Sequence, residues 1–185
     1  MRNAIDPGHR LAITLCFLAT GESYQSLEYN FRVAPNTIGK IVPNTREAII
    51  HEFMEEVMSC PQSKEQWKVV AAEFANRWQF YNCLGALDGK HIKMKYLSNE
   101  GSVYFNYKGF HSLVLFALVD AGHKFLYVEI GANGRCSDGV VFRDTSLFKA
   151  LEEGKAEIPD AVPLPSDTEP VHFHVVADDA FALRN

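Results

Sequence analysis

Nothing in this sequence pairs its cysteines. Cys16, Cys60, Cys83 and Cys136 are scattered without any C-x-x-C spacing, which argues against a disulfide framework or a patterned zinc site. Small buried apolar residues in a reducing compartment are the expectation. Long apolar runs are lacking too: none reaches the length that spans a bilayer, so no membrane partner is expected. Leu11 to Ala19, behind Arg10, imitates the short apolar core of a signal peptide, but a buried helix accounts for it better. Positive charge is not in excess, with 18 Lys and Arg against 23 Asp and Glu for a net −5. That argues against a polycation that coats nucleic acid, though not against a local basic surface. The chain has no internal repeat, no low-complexity tract and no phosphate-loop spacing.

What is there suits an ordinary folded chain. A length of 185 residues with 47% apolar content fits one domain, or a domain plus a small appendage. Gly8 to Thr20 reads as a helix on the spacing of Leu11, Leu15 and Leu18, with Gly21 at its C-terminal cap. Ser23 caps a second helix bearing Tyr24, Leu27 and Phe31. A short third helix starts at Pro35 and carries Ile38, Ile41 and Val42. Pro43 should end or kink it, leaving Asn44 to cap a fourth with Ile49, Phe53 and Val57. Short helices with tight turns resemble a helix-turn-helix, with Val33 to Ile38 where the turn meets the recognition helix. Asn36, Thr37 and Lys40 then stand where bases or phosphates would be touched. A solvated helix face explains the same three residues.

Residues 1–60 are therefore expected to form a helical, DNA-binding segment, 61–80 a connecting helix and 81–185 a separate domain. The connecting helix opens on a capping box, Ser63 to Gln66, and turns Trp67, Val70, Ala71 and Phe74 inward. From Asn82 the period changes to that of strands. Cys83 to Met94, Gly109 to Asp120 and Lys124 to Ile130 read as three strands, the last two joined by the turn at 120–123. Ser137 or Asp138 caps a helix running towards Glu153, and Val171 to Ala177 forms a fourth strand after a proline-rich loop. Strand, hairpin, helix, strand is the order of a ribonuclease-H-like mixed sheet of the α/β class.

The chemistry rests on acids placed in apolar strands. Asp88 sits within Leu84 to Gly89, where an unpaired carboxylate is costly to bury. Asp178 follows Val175, Val176 and Ala177 at the end of the last strand, with Asp179 as its immediate rival. If the first and fourth strands are parallel neighbours, both acids reach one sheet edge, where mutual repulsion raises their pKa values. A divalent Mg²⁺ or Mn²⁺ removes the conflict, and a pair of such ions can clamp a phosphodiester. An Asp-Gly turn and a helix cap are the plain structural alternatives. Lys90, His91, Lys93, Lys95 and Lys108, with Tyr96, Tyr104, Phe105 and Tyr107 between them, form a basic, aromatic strip suited to DNA. His172 and His174 share a strand face, which same-face polar alternation explains more simply than zinc.

Several runs together resemble one family. Phe17-Leu-Ala-Thr-Gly21, Gly85-Ala-Leu-Asp-Gly-Lys-His-Ile92, Phe105-Asn-Tyr-Lys-Gly109 and Val176-Ala-Asp-Asp-Ala-Phe181 are similar to the Harbinger (PIF/Harbinger) transposases and the nucleases domesticated from them. The resemblance implies a ribonuclease-H-like fold and a DDE triad of metal-binding acids. Asp88 then matches the first acid and Asp178 the second. It also implies a DNA substrate and the nucleus, with the cytoplasm as the alternative. The family's third acid, a glutamate on a later helix, has no counterpart here, so the nuclease domain is expected to be incomplete and to pair with another protein or a second copy. The competing expectation is a catalytically silent DNA-binding or interaction module that keeps the scaffold.

Overall fold

The computed structural model describes residues 4–95, 101–179 and 181. The chain is a mixed α/β protein divided into two compact units, Met1–Glu56 and Val57–Asn185.

The first unit is helical. Helix α1 spans Pro7–Thr20, starting where the Asp6 carboxylate accepts from the backbone N–H groups of Gly8 and His9. It ends at Gly21, whose left-handed backbone (φ 66°) only glycine adopts freely. Helix α2, Tyr24–Phe31, is capped by the Ser23 hydroxyl. Helix α3 runs unbroken over Pro35–Val57 with Pro43 inside it, so the expected break and the separate helix capped by Asn44 do not form. A proline removes one backbone donor, and the good helix formers Glu47, Ala48, Glu52 and Met54 continue the coil beyond it. The core of this unit is Ile13, Leu27, Val33, Ile38, Ile41 and Val42. The leucine stripe expected to be buried on α1 is instead exposed: Leu11, Leu15 and Leu18 face solvent, and Ile13 with Thr14 turns inward. On a helix apolar nearly all round, spacing alone cannot say which face packs.

The second unit wraps a sheet. Helix α4, Lys64–Trp78, is capped by Ser63 and buries Trp67, Val70, Ala71 and Phe74, all in the core that β1 completes. Strand β1 spans Cys83–Lys93, β2 Ser112–Val119 and β3 Phe125–Asn133. The β2–β3 hairpin turns at Asp120, whose carboxylate accepts from the N–H groups of Gly122 and Lys124. The single helix expected towards Glu153 is two: α5 over Asp138–Asp144 and α6 over Ser146–Glu152. Thr145 breaks them, because its extended backbone and its hydroxyl, which accepts from Phe148 N–H, restart the coil. The proline-rich segment holds β4, Val162–Pro163, paired with β5, Pro170–Val171. The expected fourth strand is thereby split, and only β6, His174–Val176, joins the main sheet.

Sheet order is β3-β2-β1-β6, antiparallel between β1 and β2 and parallel between β1 and β6. Asn82 secures that parallel edge. Its side-chain amide donates to the carbonyls of Val162 and Val171, while its own carbonyl accepts from His174 N–H. The register pairs Ala86 with Val176, so Asp88, still within β1, and Asp178, just past the end of β6, follow that pair in the same direction, towards one end of the sheet.

Candidate functional site

At that end a cleft of about 810 Å³ opens among His91, Asn106, Tyr107, Arg135, Cys136, Asp138, Asp178 and Asp179. A second cleft of about 590 Å³ is walled mainly by apolar side chains such as Trp67, Leu84, Phe142 and Phe173. Its chemistry is that of an uncovered core, so the acid cleft is the candidate site.

The most constrained acid is Asp138, which the sequence offered only as a helix cap. Ser137 occupies the cap position without a side-chain bond, and Asp138 is the first residue of α5. Its side chain as a whole is half-buried, yet Oδ1 is sealed from solvent and has no hydrogen-bond partner among the described residues. Burial pushes its pKa up; the field of His91 opposes that, Asp88 and Asp178 add to it, and Lys108 opposes it. Gly89 makes the room, since a Cβ there would collide with the Asp138 carboxylate. The Asp-Gly pair in β1 is thus a seat for a third acid. A glycine within an apolar strand, followed far along the chain by an acid beside a tight loop, was the available signal.

Asp88 differs from expectation. It lies on β1 but is exposed, and its Oδ1 accepts from Gly89 N–H at 2.8 Å. The buried stretch of the strand ends one residue earlier, at Leu87, so the burial argument made for Asp88 belongs to Asp138. Successive strand side chains alternate, so Gly89 and His91 share the face turned to Asp138 and Asp88 points from the opposite face; Asp88 does not line the cleft, though its charge is felt at Asp138. Asp178 and Asp179 are exposed and both line the cleft.

Of the basic and aromatic residues, His91 and Lys108 stand in the field of Asp138. The Tyr107 ring meets the His91 ring edge-on at 5.6 Å, and Lys108 Nζ lies 5.3 Å from the Tyr107 ring centre. Lys93 packs over Phe110 instead, and Lys90 and Lys95 are exposed. Arg135, at the cleft wall, is a cation that sequence reasoning passed over. Tyr96 lies outside the described residues. Asn36 and Lys40 are exposed and Thr37 half-buried in the first turns of α3, within the other unit.

The donor chemistry fits a hard divalent cation, being carboxylate oxygens with one desolvated and, among the described residues, unpartnered. Among the described residues, however, no three His, Cys, Asp or Glu side chains are gathered into a closed ligand set. His172 and His174 are exposed, and His174 meets the Phe80 ring edge-on. All four cysteines are free thiols, with Cys83 buried and the others half-buried.

Comparison with known proteins bears on this cleft. Residues 87–185 match the family described as DDE superfamily endonuclease, a stretch that includes Asp88, Asp138 and Asp178. The chain is 29% identical over 187 residues to "Protein ALP1-like" of Arabidopsis thaliana, covering 98% of this chain and 44% of that protein. It is 24% identical over 151 residues to "Putative nuclease HARBI1" of Rattus norvegicus, covering 82% of this chain and 43% of that one. The chain thus spans less than half the length of these relatives. No solved structure matches it.

Proposed function

The chain belongs to the DDE superfamily endonucleases, and from that premise we propose that its acid cleft is the metal-dependent centre of a DNA nuclease of the Harbinger transposase-derived kind. The observation that carries this reading is Asp138: a carboxylate oxygen sealed from water, without a partner among the described residues, with Asp88 and Asp178 near enough to raise its pKa. A group in that state is costly to keep unless a cation completes it.

Asp138 and Asp178, which both line the cleft, would hold Mg²⁺ or Mn²⁺, with the charge of Asp88 acting from the other face of β1. Such an ion, when bound, supplies a water nucleophile at neutral pH and neutralises charge at the scissile phosphodiester. The remaining work falls to the chain. His91, Lys108 and Arg135 meet the phosphate backbone at the cleft, Lys90 and Lys93 extend the positive strip along β1, and the exposed Tyr107 ring offers a stacking face to an unpaired base. The β3-β2-β1-β6 order with its parallel β1–β6 edge supports a ribonuclease-H-like sheet. Helices α2 and α3 support a helix-turn-helix, with Asn36, Thr37 and Lys40 turned to DNA. The resemblance to the Harbinger-derived nucleases favours the nucleus as the compartment where such a protein would act, with the cytoplasm as the alternative. The exposed leucines of α1 suit a protein partner or a second copy.

The test is Mn²⁺ titration followed by electron paramagnetic resonance, with supercoiled-plasmid nicking alongside. Saturable Mn²⁺ binding that Asp138→Asn and Asp178→Asn both weaken is expected. Wild-type protein that takes up no Mn²⁺ would sink the reading. In its place would stand the rival one, a DNA-binding scaffold without chemistry, which the open arrangement of the acids favours. That rival requires salt-sensitive duplex binding without nicking.

A further inference from the structure

One wall of the cleft carries a chain of hydrogen bonds that the acids do not explain. It begins at Asn106, buried in the turn before β2. Its Oδ1 accepts from the backbone N–H groups of Lys108 at 2.9 Å and Phe110 at 3.3 Å. Two backbone donors settle which end of the amide is oxygen, so the atom 2.8 Å from Ser112 Oγ is Nδ2, and it donates. Ser112 is fully buried and has a single hydroxyl proton to place. Among the described residues its other hydrogen-bonding neighbour is His91 Nδ1, at 2.9 Å. A buried hydroxyl proton without an acceptor is costly, so Ser112 donates to Nδ1, which must therefore be unprotonated. The ring proton is then on Nε2. With Nδ1 turned into the wall and the Tyr107 ring set edge-on against the imidazole, Nε2 is left for the cleft that His91 lines. Gly134 closes the arrangement from behind, since a Cβ there would collide with Ser112.

We propose that His91 is a preset hydrogen-bond donor: Asn106 and Ser112 hold its proton on Nε2, and that N–H positions a non-bridging phosphate oxygen of the DNA strand in the cleft. The identity of the ligand rests on the nuclease reading; the placement of the proton does not. In this tautomer His91 offers no lone pair to the cleft, so it serves neither as a general base nor as a metal ligand through Nε2. It also differs from the lysines of the strip, which act as charges, because it contributes direction.

Long-range proton–nitrogen NMR on the 185-residue chain, labelled at histidine and free of DNA, reads the tautomer directly. His91 is expected with its proton on Nε2, and Ser112→Ala is expected to shift it towards a mixture with the Nδ1–H form. Fluorescence anisotropy with a short DNA duplex reads the role. His91→Gln, which can present an N–H near the Nε2 position, should bind within about twofold of wild type, whereas His91→Ala and His91→Asn should lose about tenfold. A proton found on Nδ1 in the wild type overturns the relay and leaves the nuclease reading standing. Equal losses in the Gln and Ala variants overturn the positioning role. Wild-type protein that binds no duplex removes the ligand and the nuclease reading together, while the imidazole spectrum still decides the relay. Should Ser112→Ala fail to fold, the wild-type spectrum and the Gln and Asn variants suffice.

Discussion

Cys83, Leu84, Gly85 and Leu87 of β1 are buried in the core that α4 shares, whereas Asp88 to Lys93, the same strand continued, are half or wholly exposed. Each half contains a glycine, and the two keep space for opposite kinds of neighbour. A Cβ at Gly85 would run into the Leu118 side chain, and one at Gly89 into the Asp138 carboxylate. One glycine lets apolar groups close up, and the other lets a charge-bearing group approach the backbone. The strand is thus structural over its first half and chemical over its second, and the changeover falls between Leu87 and Asp88.

Substitutions that separate the halves test this division. The largest effect is expected at Asp138. Asp138→Asn should lower Mn²⁺ affinity by about a hundredfold or more and remove nicking. Without divalent ions the same variant should melt higher than wild type. Because burial raises the carboxyl pKa, its neutral form favours the fold. That contribution is full below the unfolded value of about 3.9 and is lost as pH rises through the higher folded value. Melting temperatures taken in chelator from acid to neutral pH should therefore show wild type losing ground to the variant. Identical curves would mean that Asp138 is not strained.

Next comes Leu84→Ala in the buried half, expected to cost about 2–5 kcal/mol in denaturant melts while the folded fraction keeps its Mn²⁺ affinity. The two glycines follow. Gly85→Ala should cost about 1–3 kcal/mol of stability with ion binding untouched. Gly89→Ala should weaken Mn²⁺ binding with a smaller loss of stability. If both glycines behave alike, the division of the strand is wrong. The smallest effect is expected from Lys108→Ala, which should weaken duplex binding a few-fold and reduce the salt slope by about one.

Local chemistry made much of the fold legible. Gly21, Ser23 and Ser63 marked helix ends because caps are decided within a few residues. Asp120 marked the hairpin because its carboxylate folds back on its own turn. The reading failed where the deciding partner was distant or the pattern ambiguous. Pro43 did not end α3, and Thr145 divided the expected helix at a cap that could have been read locally. The leucines of α1 turned outward because an all-round apolar helix has no unique face. At the site, Asp88 and Asp178 stood out as acids next to apolar strands, while Asp138 passed as a cap and Arg135 as part of a loop.

The order of residues by itself determined the helices and strands, the change of period at Asn82 and the presence of acids at strand ends. These depend on neighbours in the chain, through backbone geometry, capping and side-chain alternation. Only the tertiary structure decided which carboxylate lost its water. Desolvation is set by what packs around an atom, and for Asp138 that is Gly89, brought alongside by the fold from a different part of the chain.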